Sequence, residues 1–157
     1  MSAAAAPADS AAAHGGATTG PPAPERRLAI ALYSDKSPTR DKVRRAIGRR
    51  PAADLPLVEL SEFATLPALL HAVDSGRFDV LVLDGEAAPA GGLGVCRQLK
   101  DEIFDCPPVL VLTGRPQDAW LAAWSKAEAA VAHPLDPRAV ADAVAALARR
   151  RAASPPA

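Results

Sequence analysis

Apolar positions along this chain fall into two alternating patterns. Leu28-Ala29-Ile30-Ala31-Leu32-Tyr33 is an unbroken apolar run, Phe78-Asp79-Val80-Leu81-Val82-Leu83 is interrupted only at its second residue, and Val109-Leu110-Val111-Leu112 is a third. Short runs rich in branched side chains predict strands buried on both faces. Leu57-Val58-Glu59-Leu60 and Ala129-Ala130-Val131-Ala132 predict two weaker strands.

Helical stretches with clear start and stop signals lie between them. Ser37 followed by Pro38 predicts an N-cap and a first-turn proline, and Gly48 ends that helix. Thr65 opens a second helix that stops at Gly76. A third runs from about Gly92 to Glu102, and a fourth starts near Pro116 and carries Trp120 and Trp124 four apart on one face. Asp136-Pro137 caps the last helix, which continues through Val140, Val144 and Leu147 to Arg149-Arg150-Arg151, where basic residues suit the helix dipole. The order βαβαβαβαβα predicts an α/β fold: a doubly wound parallel sheet of five strands with helices on both faces.

Composition sets the limits of this domain. Residues 1–24 contain no Leu, Ile, Val or Phe, so they cannot bury enough apolar area to offset their ordering entropy. The expectation is a disordered tail over 1–25, a folded domain over 26–151 and a second tail over 152–157. Lys plus Arg and Asp plus Glu each number 18, giving no net charge to draw a polyanion, so nucleic-acid binding is not expected. Two cysteines make no disulfide framework, and three scattered histidines make no zinc site. No apolar run is long enough for a membrane span and the N-terminus is not a secretory signal. These features predict a cytoplasmic protein that does not itself insert into a membrane.

In an open α/β sheet, ligands gather at the carboxyl ends of the strands. The first strand is followed by Ser34 and Asp35, the third by Asp84, the fourth by Thr113 and the fifth by His133-Pro134. Two carboxylates with a free backbone carbonyl suit Mg²⁺, and a carboxylate beside that ion can attack a phosphoryl group.

These residues resemble the receiver domain of bacterial two-component response regulators. The resemblance spans about 27–150. It rests on Ser34-Asp35-Lys36-Ser37-Pro38-Thr39-Arg40, on Asp84 with Gly92 eight residues on, on Thr113-Gly114 and on His133-Pro134-Leu135. It implies a flavodoxin-like sheet of order 2-1-3-4-5. It also implies that Asp84 is the phosphoacceptor, that Thr113 is the switch hydroxyl, and that Mg²⁺ is held by Asp35, Asp84 and the backbone carbonyl of Glu86.

The departures from the family pattern are as informative. Ser34 replaces the first of two acidic residues, which lowers the local charge and weakens Mg²⁺ binding. His133 replaces a lysine, so a fixed ammonium is lost. Ala130 stands where a mobile Tyr or Phe carries the signal outward. The proline expected four residues after Asp84 is displaced to Pro89. The resemblance thus implies an atypical, stand-alone receiver, not an enzyme, that acts by binding another protein through its fourth helix, fifth strand and fifth helix.

Of the two tryptophans, one is expected to pack on the sheet and the other to stay partly exposed for a partner. Arg40 and Arg44-Arg45 are expected to form a solvated helix face. Ala123-Trp124-Ser125 and the Ala-rich composition resemble the orphan response regulators of actinobacteria, which implies respiratory NADH dehydrogenase (complex I) as one possible assembly and a histidine kinase as another partner. Two functions compete: a phosphorelay receiver modified at Asp84, and a phosphorylation-independent adaptor or accessory subunit. A flavodoxin-like FMN enzyme is disfavoured, because the loop after the first strand has no glycine and Pro38 removes an N–H donor.

Overall fold

Successive strand residues point to opposite faces, and here each face meets its own layer of helices. The computed structural model describes residues 26–154. The tail expected over 1–25 lies outside that span, as do 155–157. The strands are β1 (Leu28–Tyr33), β2 (Val58–Phe63), β3 (Val80–Asp84), β4 (Val109–Thr113) and β5 (Ala129–Ala132). The helices are α1 (Ser37–Ile47), α2 (Leu66–Ser75), α3 (Gly92–Glu102), α4 (Ala119–Trp124) and α5 (Pro137–Ala153), with a single 3-10 turn at Pro116–Asp118 before α4.

The sheet has the order β2-β1-β3-β4-β5 with every pair parallel. Leu28, Ile30, Leu32, Val80, Val82, Leu110 and Leu112 point to one side, where α1 and α5 cover them with Val43, Ile47, Val140, Val144 and Leu147. Ala31, Tyr33, Leu81, Leu83, Val109 and Val111 point to the other, against Leu69 of α2, Val95, Cys96 and Leu99 of α3, and Ala122 of α4. Burying a side chain of this size contributes about 1.5–3 kcal/mol. Val43 and Ile47 alone therefore anchor the 11-residue α1, which would be marginal in isolation.

Local signals act largely as the residues dictate. Gly48 closes α1 with φ 62°, where a side chain would be strained. Thr65 accepts a hydrogen bond from the Ala68 N–H, and Asp136 accepts one from the Ala139 N–H. Ser37 is already helical; Lys36 occupies the N-cap and makes no side-chain cap. The Ser34 hydroxyl accepts from the Lys36 N–H instead, so the oxygen expected of Ser37 comes from two residues before the cap. The last helix reaches Ala153, two residues past the boundary expected at 151, because Ala152 and Ala153 are strong helix formers. Among the described residues no helix is long and apolar enough to cross a membrane.

Candidate functional site

The sheet reverses its winding between β1 and β3, and the carboxyl ends of these strands form the centre of the site. Asp84 is the last residue of β3. Behind it, α3 begins so close that a Cβ on Gly92 would lie 2.6 Å from the Asp84 carbonyl oxygen. Only glycine permits that approach, and this is why Gly92 follows Asp84 at a fixed distance. Thr113 ends β4 one residue beyond Leu112, the register partner of Asp84. His133 follows β5, and its N–H donates to the Thr113 carbonyl at 2.8 Å. The His133-Pro134 and Ala88-Pro89 peptide bonds are both cis.

The Asp84 side chain is fully buried, with 0% exposure, and so is Ser34. A buried carboxylate needs partners, and both of its oxygens have one. The Ser34 hydroxyl donates to Oδ2 at 2.7 Å and the Glu86 N–H donates to Oδ1 at 2.9 Å. His133 points into the pocket: its Nε2 lies 3.8 Å from Oδ1, too far for a hydrogen bond. The Thr113 hydroxyl turns back along its own loop to the Arg115 carbonyl, at 3.4 Å. Among the described residues no buried side-chain nitrogen or oxygen lacks a partner.

The end of β1 and the loop after it reach across to the end of β3 and its loop with four consecutive residues. The Tyr33 hydroxyl donates to the Ala90 carbonyl at 2.6 Å, and Ser34 donates to Asp84. The Asp35 carboxylate accepts from the Ala88 N–H at 3.1 Å. The Lys36 ammonium donates to the Glu86 carbonyl at 2.7 Å. Burial, with the charges of Asp35 and Asp84 close by, holds the Tyr33 phenol above its usual pKa, so it stays a donor. Arg40 braces this loop by donating to the Ser34 carbonyl at 2.7 Å, and it pairs with Glu62 at 3.5 Å. Arg44 also pairs with Glu62. The solvated face expected of these arginines holds for the exposed Arg44 and Arg45, and Arg40 departs from it, being half-buried and engaged with Ser34 and Glu62.

These contacts bear on the metal implied by the resemblance. Asp35, Asp84 and the Glu86 carbonyl each already accept a hydrogen bond from the chain, and on the carbonyl the donor is the Lys36 ammonium. Among the described residues no cluster of three or more His, Cys, Asp or Glu side chains is arranged to hold a metal ion. As arranged, the Lys36 ammonium on the Glu86 carbonyl opposes Mg²⁺ at that oxygen, while both carboxylates keep lone pairs open.

The two tryptophans also differ from expectation. Neither packs on the sheet: Trp120 is 67% exposed and Trp124 48%. The sheet-facing position of the six-residue α4 is Ala122, so residues two before and two after it point outward. Arg97 of α3 holds Trp124 in place, its guanidinium 4.8 Å from the ring centroid and donating to the Trp124 carbonyl at 2.8 Å. Ala130 of β5 is exposed and carries no ring toward this region. Sequence reasoning named Tyr33 only as the end of the first strand and Lys36 only within the Ser34–Arg40 motif, and gave neither a role at the site.

No family model matches the chain. Two proteins from strains of Mycobacterium tuberculosis, each named a response regulatory protein, are 56% identical to it over 110 residues, covering 70% of this chain and 83% of theirs. Solved structures share the fold. The receiver domain of a Francisella response regulator superposes with a TM-score of 0.67 at 13% identity, covering 79% of this chain and 98% of that one. A two-component response regulator from Clostridium difficile gives 0.66 at 15% identity, covering 82% and 100%. The Thermotoga maritima regulator DrrB gives 0.63 at 23% identity over 80% of this chain, which spans only 54% of that longer regulator. With a strand order and helix layering that match these neighbours, and with close relatives so named, the chain belongs to the response regulator family and has the fold of its receiver domain.

Proposed function

We propose that this receiver is a protein-docking module whose phosphoacceptor pocket is closed by its own side chains, so that it meets its partner in one fixed state. The observation that carries this reading is the condition of Asp84. A carboxylate that attacks a phosphoryl group needs an accessible lone pair and a neighbouring cation to steady the transferred charge. Asp84 is buried, Ser34 covers one of its oxygens, and a backbone N–H covers the other.

Two further features support the reading. The Thr113 hydroxyl is bonded within its own loop, and Ala130 offers no ring to move with it. In this reading Asp84, Thr113 and His133 are structural members of a degenerate pocket. Asp35 and Glu86 serve as acceptors for the chain itself and not as metal ligands.

Docking is assigned to Trp120 and Trp124 on α4, next to β5. Exposed indoles are what interface hot spots are built from. The partner is a protein and the setting cytoplasmic. The narrower resemblance to actinobacterial regulators, with which the mycobacterial relatives agree, nominates respiratory complex I as one assembly such an adaptor would join. The competing reading, a phosphorelay receiver fed by a histidine kinase through Asp84, draws on the same strand-end carboxylates.

One experiment separates the two. Tagged wild type, Asp84→Asn and Trp120→Ala/Trp124→Ala are expressed in the native host and their co-purifying proteins quantified. The adaptor reading expects Asp84→Asn to retain the wild-type partner at unchanged yield, and the tryptophan variant to lose it by at least about tenfold, since hot-spot truncations cost 2 kcal/mol or more. Loss of the partner in a folded Asp84→Asn protein would overturn it.

A further inference from the structure

The closed pocket has a specific chemical basis. Four successive residues, Tyr33 to Lys36, each bond a different residue at the end of β3 or in the loop after it: Ala90, Asp84, Ala88 and Glu86. The last of these bonds comes from a cation. The Lys36 Nζ sits 2.7 Å from the Glu86 carbonyl, the oxygen implied to complete a metal site. The first residue of the acidic pair is the neutral Ser34, whose hydroxyl gives Asp84 a proton donor in place of a positive charge. A pocket with one carboxylate fewer attracts a divalent ion less strongly.

We infer that Lys36 holds the Glu86 carbonyl against a divalent ion: its exposed ammonium, seated on that oxygen and paired with neither Asp35 nor Asp84, occupies the oxygen itself and ties the β1–α1 loop to the β3–α3 loop. A divalent ion on the same oxygen would lie within a few ångströms of the ammonium, and the two positive charges would repel. The ammonium is tethered, so its local concentration is always high, and a free ion must displace it. Metal exclusion is thus written into Lys36 itself and not merely into the missing acid at position 34. This inference rests on the closed-pocket reading and extends it by naming the group that closes the cation position.

The test uses Mg²⁺ alone, with no phosphoryl analogue, on the wild type, Lys36→Ala and Lys36→Ala/Asp35→Asn. The readouts are the thermal midpoint and the amide resonances of Gly85 to Ala88. Lys36 is exposed, so its removal leaves the fold intact. In the wild type, midpoint and resonances are expected to stay flat through millimolar Mg²⁺. Lys36→Ala is expected to start lower, to recover as Mg²⁺ is added, and to bind the ion at least about tenfold more tightly than wild type, by mass action on the folded state. Adding Asp35→Asn should abolish that gain. Equal responses in wild type and Lys36→Ala would overturn the inference, and so would a Lys36→Ala protein that stays blind to Mg²⁺. Failure of the docking reading would show differently, as phosphoryl-dependent behaviour at Asp84, so the two are distinguishable.

Discussion

Replacing Ser34 with alanine removes one oxygen that makes two hydrogen bonds. Its hydroxyl donates to Asp84 Oδ2 at 2.7 Å and accepts from the Lys36 N–H at 3.1 Å. Lys36 is close to solvent and water replaces the second bond cheaply. The first cannot be replaced in that way, because Ser34 and Asp84 are both fully buried. Hydrogen bonds to charged groups contribute about 1.5–3 kcal/mol, and removing one partner leaves the other desolvated and unpaired. For a domain of roughly 130 residues, that loss lowers Tm by about 6–12 °C.

The assay is thermal unfolding of four proteins: wild type, Ser34→Ala, Asp84→Asn and the double variant. In the Asp84→Asn background the hydroxyl faces a neutral amide, so the same Ser34→Ala change should cost only about 1 kcal/mol. The cycle then yields a coupling of roughly 0.5–2 kcal/mol between the two side chains. If Ser34→Ala shifts Tm by less than about 2 °C, or costs the same in both backgrounds, then the hydroxyl does not satisfy Asp84 and the closed-pocket argument fails.

Two other predictions follow from the packing. Gly92→Ala forces a Cβ to within 2.6 Å of the Asp84 carbonyl oxygen, so α3 must lift from β3; the expected cost is about 1–3 kcal/mol, read as a lowered urea midpoint with unchanged slope. Burial pushes the Cys96 thiol up to about 11, and burial raises Cys106 as well. At pH 8 only about one Cys96 thiol in a thousand is then thiolate, so a thiol reagent should label Cys96 in the native protein no faster than the protein opens, and at once in denaturant. Rapid native labelling of Cys96 would contradict the burial assigned to it.

Much of this architecture was legible because buried strands have an unambiguous signature. β1, β3 and β4 are sandwiched between helix layers, so nearly every position is apolar and their runs stand out. β2 was only partly legible. It was expected at Leu57 to Leu60 and lies at Val58–Phe63, because an edge strand half-open to solvent carries exposed Glu59 and Glu62 among its partly buried residues and so breaks the apolar run. The α4 region was the hardest. Six residues give too little periodicity to fix which side faces inward, and a small Ala122 at the sheet leaves both tryptophans outside.

At the site, the strand-end positions of Asp84, Thr113 and His133 follow from chain order alone. What chain order does not carry is how side chains meet across it. Ser34 reaches Asp84, and Lys36 reaches Glu86, over 50 residues of sequence. A serine read only as a missing charge proves to be a donor, and a lysine quoted only as part of a motif proves to hold the Glu86 carbonyl.

The most direct test of the central claim is thermal unfolding of wild type and Asp84→Asn, each with and without Mg²⁺ plus beryllofluoride, a mimic of the phosphoryl group. A ligand that binds only the folded state raises Tm by mass action, by about 2.7 kcal/mol in stability at a hundredfold excess over Kd. With Asp84 already hydrogen-bonded on both oxygens and Lys36 on the Glu86 carbonyl, no rise is expected in either protein. A rise in wild type that Asp84→Asn abolishes would mean that the pocket opens to a phosphoryl group, and would contradict the account.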